Sequence, residues 1–265
     1  MSKVFKGFVS IIVGFITAGP AISADYSLSA GLANYDYALT VTTEGTIDLS
    51  FDGQQYEVGL QRATEDLTLS LKHTFSDPTN IVSAEANANS QFGEALYMSQ
   101  EETSVSMQRP INDNLNWFAG YYQSQLDARG HNDGTDGTYF NKEHSSLATR
   151  GAFFGVSAQR RISERWVLFG RGAINFVSAD IHLADDKRLD ENVNFQQAIT
   201  RSAYGFGGPA TLLGFGLAYP LASGAAIVLS YETKDFDFEE FYLNTTRSSI
   251  DTDWETFGVS ISFGI

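Results

Sequence analysis

The 265 residues carry 32 acidic and 17 basic side chains, a formal charge of −15, with 43% hydrophobic and 13% aromatic residues, 24 Gly, 5 Pro and no Cys. An acidic excess of this size argues against nucleic acid and anionic surfaces as partners and favours divalent cations or basic ligands, although its first effect is to solubilise exposed polar segments. The lack of Cys rules out disulfide staples, and a Gly-rich, aromatic-rich, Pro-poor mixture suits many short alternating strands better than helices.

At the amino end Lys3 and Lys6 precede an apolar run, Phe8 to Ala18, that is too short to span a bilayer and meets Gly19-Pro20. Small residues follow as Ala21-Ile22-Ser23-Ala24, so residues 1–24 read as a secretory signal peptide cleaved after Ala24. Loss of Lys3 and Lys6 takes the charge from −15 to −17. No later segment reaches 18 apolar residues, so residence in a membrane requires a β-barrel, the other structure that satisfies every backbone polar group in lipid.

Residues 25–265 then alternate. Tyr26, Leu28, Ala30 and Leu32 share one face of a first strand that runs to about Val41, and 42–53 reads as a loop. Tyr56, Val58 and Leu60 face outward against Glu57, Gly59 and Gln61. After a short turn, Leu67, Leu69, Leu71 and Phe75 oppose Thr68, Ser70 and Lys72. A long loop is expected at 76–100, and a descending strand follows with Val105 and Met107 against Ser104, Ser106 and Gln108. Pro110 to Asn114 is a turn, and the next strand has aromatic residues on both faces, Trp117 and Tyr121 against Phe118 and Tyr122. Another loop is expected at 128–146.

The hairpin from Gly151 to Ile181 fixes the sidedness. Ala152, Phe154, Val156 and Ala158 share one face of its first arm; Trp166, Leu168, Gly170, Gly172, Ile174 and Phe176 share one face of its second, with Arg171 and Asn175 opposite. A guanidinium on the lipid face costs roughly 2–4 kcal/mol at mid-bilayer, so Arg171 points inward and the Trp166 face meets lipid. Beyond a loop at 182–208, Thr211, Leu213, Phe215, Leu217 and Tyr219 face outward. Ile227, Leu229 and Tyr231 do the same against Ser230, Glu232 and Lys234, and a loop at 239–251 leads to the terminal row Phe257, Val259, Ile261, Phe263, Ile265.

This pattern predicts an all-β fold: a closed antiparallel transmembrane β-barrel of ten strands, or eight if the first two segments lie outside it. Short periplasmic turns near 63, 112, 163 and 222 alternate with long external loops. Trp117, Trp166, Tyr219, Tyr231 and Phe263 are the expected interfacial girdle. Glu57, Lys72, Arg171, Glu232 and Lys234 are the expected lumen-lining charges, whose mixed signs either set ion selectivity or pair across a narrow interior. Asn132 to Gly137 offers oxygen ligands but lacks the spacing and distal Glu of a calcium loop. Glu143-His144-Ser145 holds hydrolase residue types, yet neighbours on a strand point to opposite faces and form no triad. His73, His131 and His182 lack partners at metal-ligand spacing, so no enzyme activity, metal or cofactor is expected.

The alternating carboxyl-terminal strand resembles the signal read by the barrel-assembly machinery of Gram-negative bacteria, with Gly264-Ile265 following Phe263 where that pattern favours a terminal Phe. RISERWVLFGRGAINFVSADI and YGFGGPATLLGFGLAYPLASGAAIVLSYETKDFDFEE are similar to the pore-forming major outer membrane proteins of Legionella type. The resemblance implies a porin-like role; together with the signal peptide, the alternation and the turn and loop asymmetry, the expectation is a small monomeric porin-like channel in the cell outer membrane, surrounded by lipid and lipopolysaccharide and exported through the Sec pathway. The alternative is a surface-binding barrel whose external loops hold a host or envelope ligand.

Overall fold

A computed structural model describes residues 26–42, 46–77, 79–86, 95–133, 139–189, 198–221, 225–238, 240–243 and 246–264. The signal segment at 1–24 and most of the candidate calcium loop lie outside them. No helix occurs among the described residues. The strands are β1 (Tyr26–Thr42), β2 (Thr46–Ala63), β3 (Thr68–Ser76), β4 (Thr79–Ala86), β5 (Ala95–Asn112), β6 (Leu115–Asp133), β7 (Tyr139–Arg161), β8 (Val167–Leu189), β9 (Ala198–Pro220), β10 (Ala225–Asp237), β11 (Phe241–Leu243) and β12 (Thr246–Gly264).

Every pairing is antiparallel, and β1 is bonded both to β2 and to β12, so the sheet has no free edge. β3 and β4 follow one another between β2 and β5, forming one interrupted barrel strand. β11 continues the line of β10 beside β12. The cylinder therefore has ten strands, not eight. Short turns at 64–67 and 162–166 close on backbone bonds from Thr64 to Leu67 and from Ile162 to Trp166.

The outer wall is apolar where a soluble protein's would be polar. Leu28, Leu60, Leu69, Val105, Phe154, Ile174, Phe215 and Phe257 are all exposed, and Phe176 and Leu213 reach 71% and 60%. A continuous belt of this kind is far larger than the apolar patches that soluble monomers tolerate, and a closed barrel has only hydrocarbon to offer it. Above the belt the outward positions turn polar: Asn34 and Asp36 on β1, Asp52 on β2, Glu101 on β5, Gln123 on β6, Asp235 on β10, Asp253 and Glu255 on β12.

The loops expected at 42–53, 76–100, 128–146, 182–208 and 239–251 are largely strand. β2 starts at Thr46, β4 and the start of β5 occupy the second, β6 and β7 leave only 134–138, β8 and β9 leave only 190–197, and β12 starts at Thr246. A membrane crossing needs only about 9–11 residues per tilted strand, whereas β7, β8 and β9 each have 23. Hydrogen-bond ladders continue into water regardless of side-chain polarity. The apolar/polar alternation that marks a strand in lipid stops at the membrane surface, so these extensions read as loops.

The two-sided aromatic pattern of β6 resolves as Trp117 and Tyr121 outward, Phe118 and Tyr122 inward. Glycine makes the inward choice possible. Phe118 lies opposite Gly155, Phe153 opposite Gly120, Tyr122 opposite Gly151 and Phe169 opposite Gly216. In each pair the ring occupies the space where the glycine's Cβ would stand, so four large rings fit inside a narrow cylinder.

Two tests follow from this wall. Leu213→Arg, on the lipid face, should destabilise the barrel in vesicles by about 2–4 kcal/mol in urea unfolding; a loss within error would place that face in water. Asp36 sits beside Asp52 and Glu255, and partial burial first, then those two carboxylates, raise its pKa above the ordinary value. A raised folded-state pKa means the folded chain binds the extra proton, so stability rises as pH falls. Asp36→Asn should therefore stabilise the barrel at neutral pH, with the gain vanishing once the aspartate is protonated in acid.

Candidate functional site: a charged layer across the lumen

The inward row of each strand converges on one layer of charge. On neighbouring strands, Lys72 Nζ of β3 lies 2.6 Å from Glu57 Oε2 of β2, and Glu57 is 1% exposed. Arg171 of β8 pairs with Glu232 of β10 across the intervening strand. Gly214 of β9 stands between them in register, opposite both Arg171 and Glu232. A Cβ there would come within 3.2 Å of Arg171 Cγ and Nε, so the glycine lets the guanidinium lie flat over β9 and reach its carboxylate.

The third pair crosses the bore. Lys234 Nζ donates to Glu102 Oε2 at 2.8 Å and to Oε1 at 2.9 Å. Lys234 belongs to the ninth barrel strand and Glu102 to the fourth, five strands away on a ring of ten, so the bond joins opposite walls. The ammonium also lies 6.0 Å from the Tyr122 ring centroid. Three cations thus meet three anions, a neutral arrangement that offsets the large desolvation cost of charges in a confined interior.

Packing surrounds the layer. On its extracellular side Tyr35 stacks on Trp254 at 5.0 Å, Tyr37 meets Trp254 at 5.1 Å, and Phe51, Met98, Leu126, Leu147, Phe238 and Ile250 join the same buried cluster. On its periplasmic side Val167, Ala218 and Val228 pack with Phe169. Three cavities meet at the crossing bond, each lined by Glu102 and Lys234. One extends toward the periplasm past Ser106 and Gln108, one is lined by Gln55, Thr74 and Thr256, and one reaches outward past Ser124 and Leu147.

Glu57, Lys72, Arg171, Glu232 and Lys234 all stand on inward positions of this layer. Alternation alone missed Glu102, although it shares the inward parity of Ser104, Ser106 and Gln108. It also missed the aromatic cluster, since Tyr35, Tyr37 and Trp254 look like membrane-facing residues until the parity of Ala33 and Thr256 is applied to them. On the outer wall Trp166 lies edge-on to Tyr219 at 5.0 Å near the periplasmic turn, and Trp117 lies 6.1 Å from Phe154. Phe263 is close to the same rim, while Tyr231 lies tilted against Phe215 at 5.1 Å higher up. His73 hydrogen-bonds Thr103 on the outer wall, His182 is exposed there, and the side chains of His131 and of Glu143-His144-Ser145 lie outside the described residues. Among the described residues no group of three His, Cys, Asp or Glu side chains could hold a metal ion.

Comparison with solved structures supplies the context for this geometry. The outer membrane protease OmpT from Escherichia coli superimposes with a TM-score of 0.62 at 12% identity, over 91% of this chain and 96% of that one. The chain has the fold of a Gram-negative outer-membrane β-barrel. The translocator domain of the autotransporter NalP from Neisseria meningitidis gives a TM-score of 0.49 at 10% identity, over 90% of this chain and 88% of that one. No family model and no curated protein sequence matches the chain. At these identities the likeness concerns the fold, and the protease activity belongs to OmpT.

The crossing bond is open to test. Lys234→Met should destabilise the barrel by about 3–5 kcal/mol, because Glu102 stays buried without its cation, and adding Glu102→Leu should recover most of that loss. Urea unfolding in vesicles, followed by tryptophan fluorescence, measures both. Equal loss in the single and double variants would show that the two side chains are not coupled.

Proposed function

We propose that this protein is a low-conductance outer-membrane channel, exported by its first 24 residues, in which the Lys234–Glu102 bond is the constriction. The observation that carries the reading is the series of cavities of mixed polar and apolar lining on both sides of that bond, with the charged pair at their junction. A neutral layer of three cations and three anions favours small solutes without strong preference for sign. The likeness of the Trp166 to Ile181 strand and of the Gly-rich strand after it to the Legionella-type pore formers supports the same reading. A lumen this occupied is suited to ions and very small molecules rather than to metabolite-sized solutes.

A second reading rests on a different feature. β7, β8 and β9 continue far past the apolar belt, and such a wall of strands provides a rigid stage for binding a host or envelope partner.

Planar-bilayer recording separates the two. The channel reading expects small reproducible steps from the wild type, and larger ones from Lys234→Ser combined with Glu102→Ser, which removes both charges and widens the bore. Silence from both proteins, each verified as folded, would overturn it in favour of the surface-binding reading.

A further inference from the structure

The cavity on the periplasmic side of the crossing bond is two-sided. One wall is aromatic and aliphatic: Phe118 and Phe153, with ring centroids 6.1 Å apart and planes inclined at 58°, and Leu212. The other is hydroxyl and amide: Ser104, Ser106, Gln108 and Ser157. The cavity between the walls measures about 70 Å³, several times the roughly 10–15 Å³ that one water needs.

Within this cavity Asn175 is the telling residue. It is 2% exposed, it lines the cavity, and its Oδ1 has no hydrogen-bond partner. Its cross-strand neighbour on β7 is Phe153, so the orphan acceptor lies beside an aromatic wall. A buried carbonyl oxygen left unpaired is costly, and most such groups in folded proteins are satisfied by some donor. The charged side chains that line the cavity are each paired, Lys72 with Glu57, Arg171 with Glu232 and Lys234 with Glu102, so together they add no net charge to attract an ion.

We propose that this cavity is a binding site for a small uncharged aromatic molecule carrying one hydroxyl donor, of the phenol class, with the ring against Phe118, Phe153 and Leu212 and the hydroxyl donating to Asn175 Oδ1. A flat ring packs against the surface that the two touching rings present to the cavity, and the hydroxyl supplies the hydrogen bond that the amide lacks. A purely apolar ring leaves Asn175 unpaired and binds more weakly; a charged compound enters a neutral, confined lumen at a large desolvation cost. The inference concerns the cavity on the periplasmic side of the crossing bond and requires no net flow of solute, so it stands or falls independently of the channel reading.

The test uses the full chain in lipid nanodiscs with para-fluorophenol and fluorobenzene as probes, read by fluorine NMR against protein-free nanodiscs to remove partition into lipid. Saturable binding of para-fluorophenol is expected, with fluorobenzene about tenfold weaker, the worth of one hydrogen bond to a buried acceptor. Asn175→Leu should abolish that preference by weakening the phenol and not the hydrocarbon. Ser106→Phe, or Ser157→Leu should that variant fail to fold, fills the cavity and should remove binding of both probes. Equal affinity for the two probes in the wild type, a preference that survives Asn175→Leu, or binding untouched by the filling variants would each overturn the proposal. Binding absent altogether would do the same and would assign the Asn175 acceptor to water. Bilayer recording of the same preparations keeps the two readings apart: binding without conductance sinks the channel alone, and conductance without binding sinks this site alone.

Discussion

Hydrocarbon supplies no hydrogen-bond partner, and that single deficit governs the molecule. Each N–H and C=O at membrane depth must bond to another strand, so the sheet has to close, and β1 closes it by holding β2 on one side and β12 on the other. Closure then dictates the side chains. Alternate positions meet lipid or lumen with no third option, which is why Leu213 and Phe176 lie naked on the outside while Glu57 is buried within.

A ring of ten strands leaves an interior that side chains nearly fill, and the contents must be mutually compatible. The sequence answers in two ways. Large rings are set opposite glycines, so that bulk on one strand is matched by emptiness on the next. Charges enter in equal numbers of each sign and in contact, Lys72 with Glu57, Arg171 with Glu232 and Lys234 with Glu102. Gly214 belongs to both schemes, since its missing side chain is the path along which Arg171 reaches Glu232. Polar and apolar filling together make the lumen a layered solid with small voids, and the functional readings above concern what those voids admit.

Period-two alternation carried the architecture: strand number, sidedness and the inward position of Arg171 follow from which side chains hydrocarbon accepts. The same signal fails where hydrocarbon ends. Thr79 to Ala86 and the outer reaches of β8 and β9 mix polar and apolar residues, and Thr46 to Ser50 alternates over only five residues, so their pairing is invisible without their partners. The interior was legible by residue but not by partnership. Parity puts Lys234 inside, yet its bond to Glu102 depends on the curvature of the whole sheet, and the aromatic cluster around Trp254 depends on which of two equally greasy faces turns inward. Asn175 could be named as inward-facing, but its unpaired oxygen emerges only once every neighbour has been placed.

The Lys234–Glu102 bond also bears on the order in which the protein is made. The two residues are separated by 132 positions and lie on strands that are never neighbours. Hairpins zip from local contacts, but a contact between opposite sides of a ring has no local precursor and carries the full entropy of bringing remote segments together. It forms only after the growing sheet has curled far enough for its two halves to face each other. Until then the ammonium and the carboxylate remain hydrated, and their dehydration belongs to the last stage of assembly, when the first and final strands join.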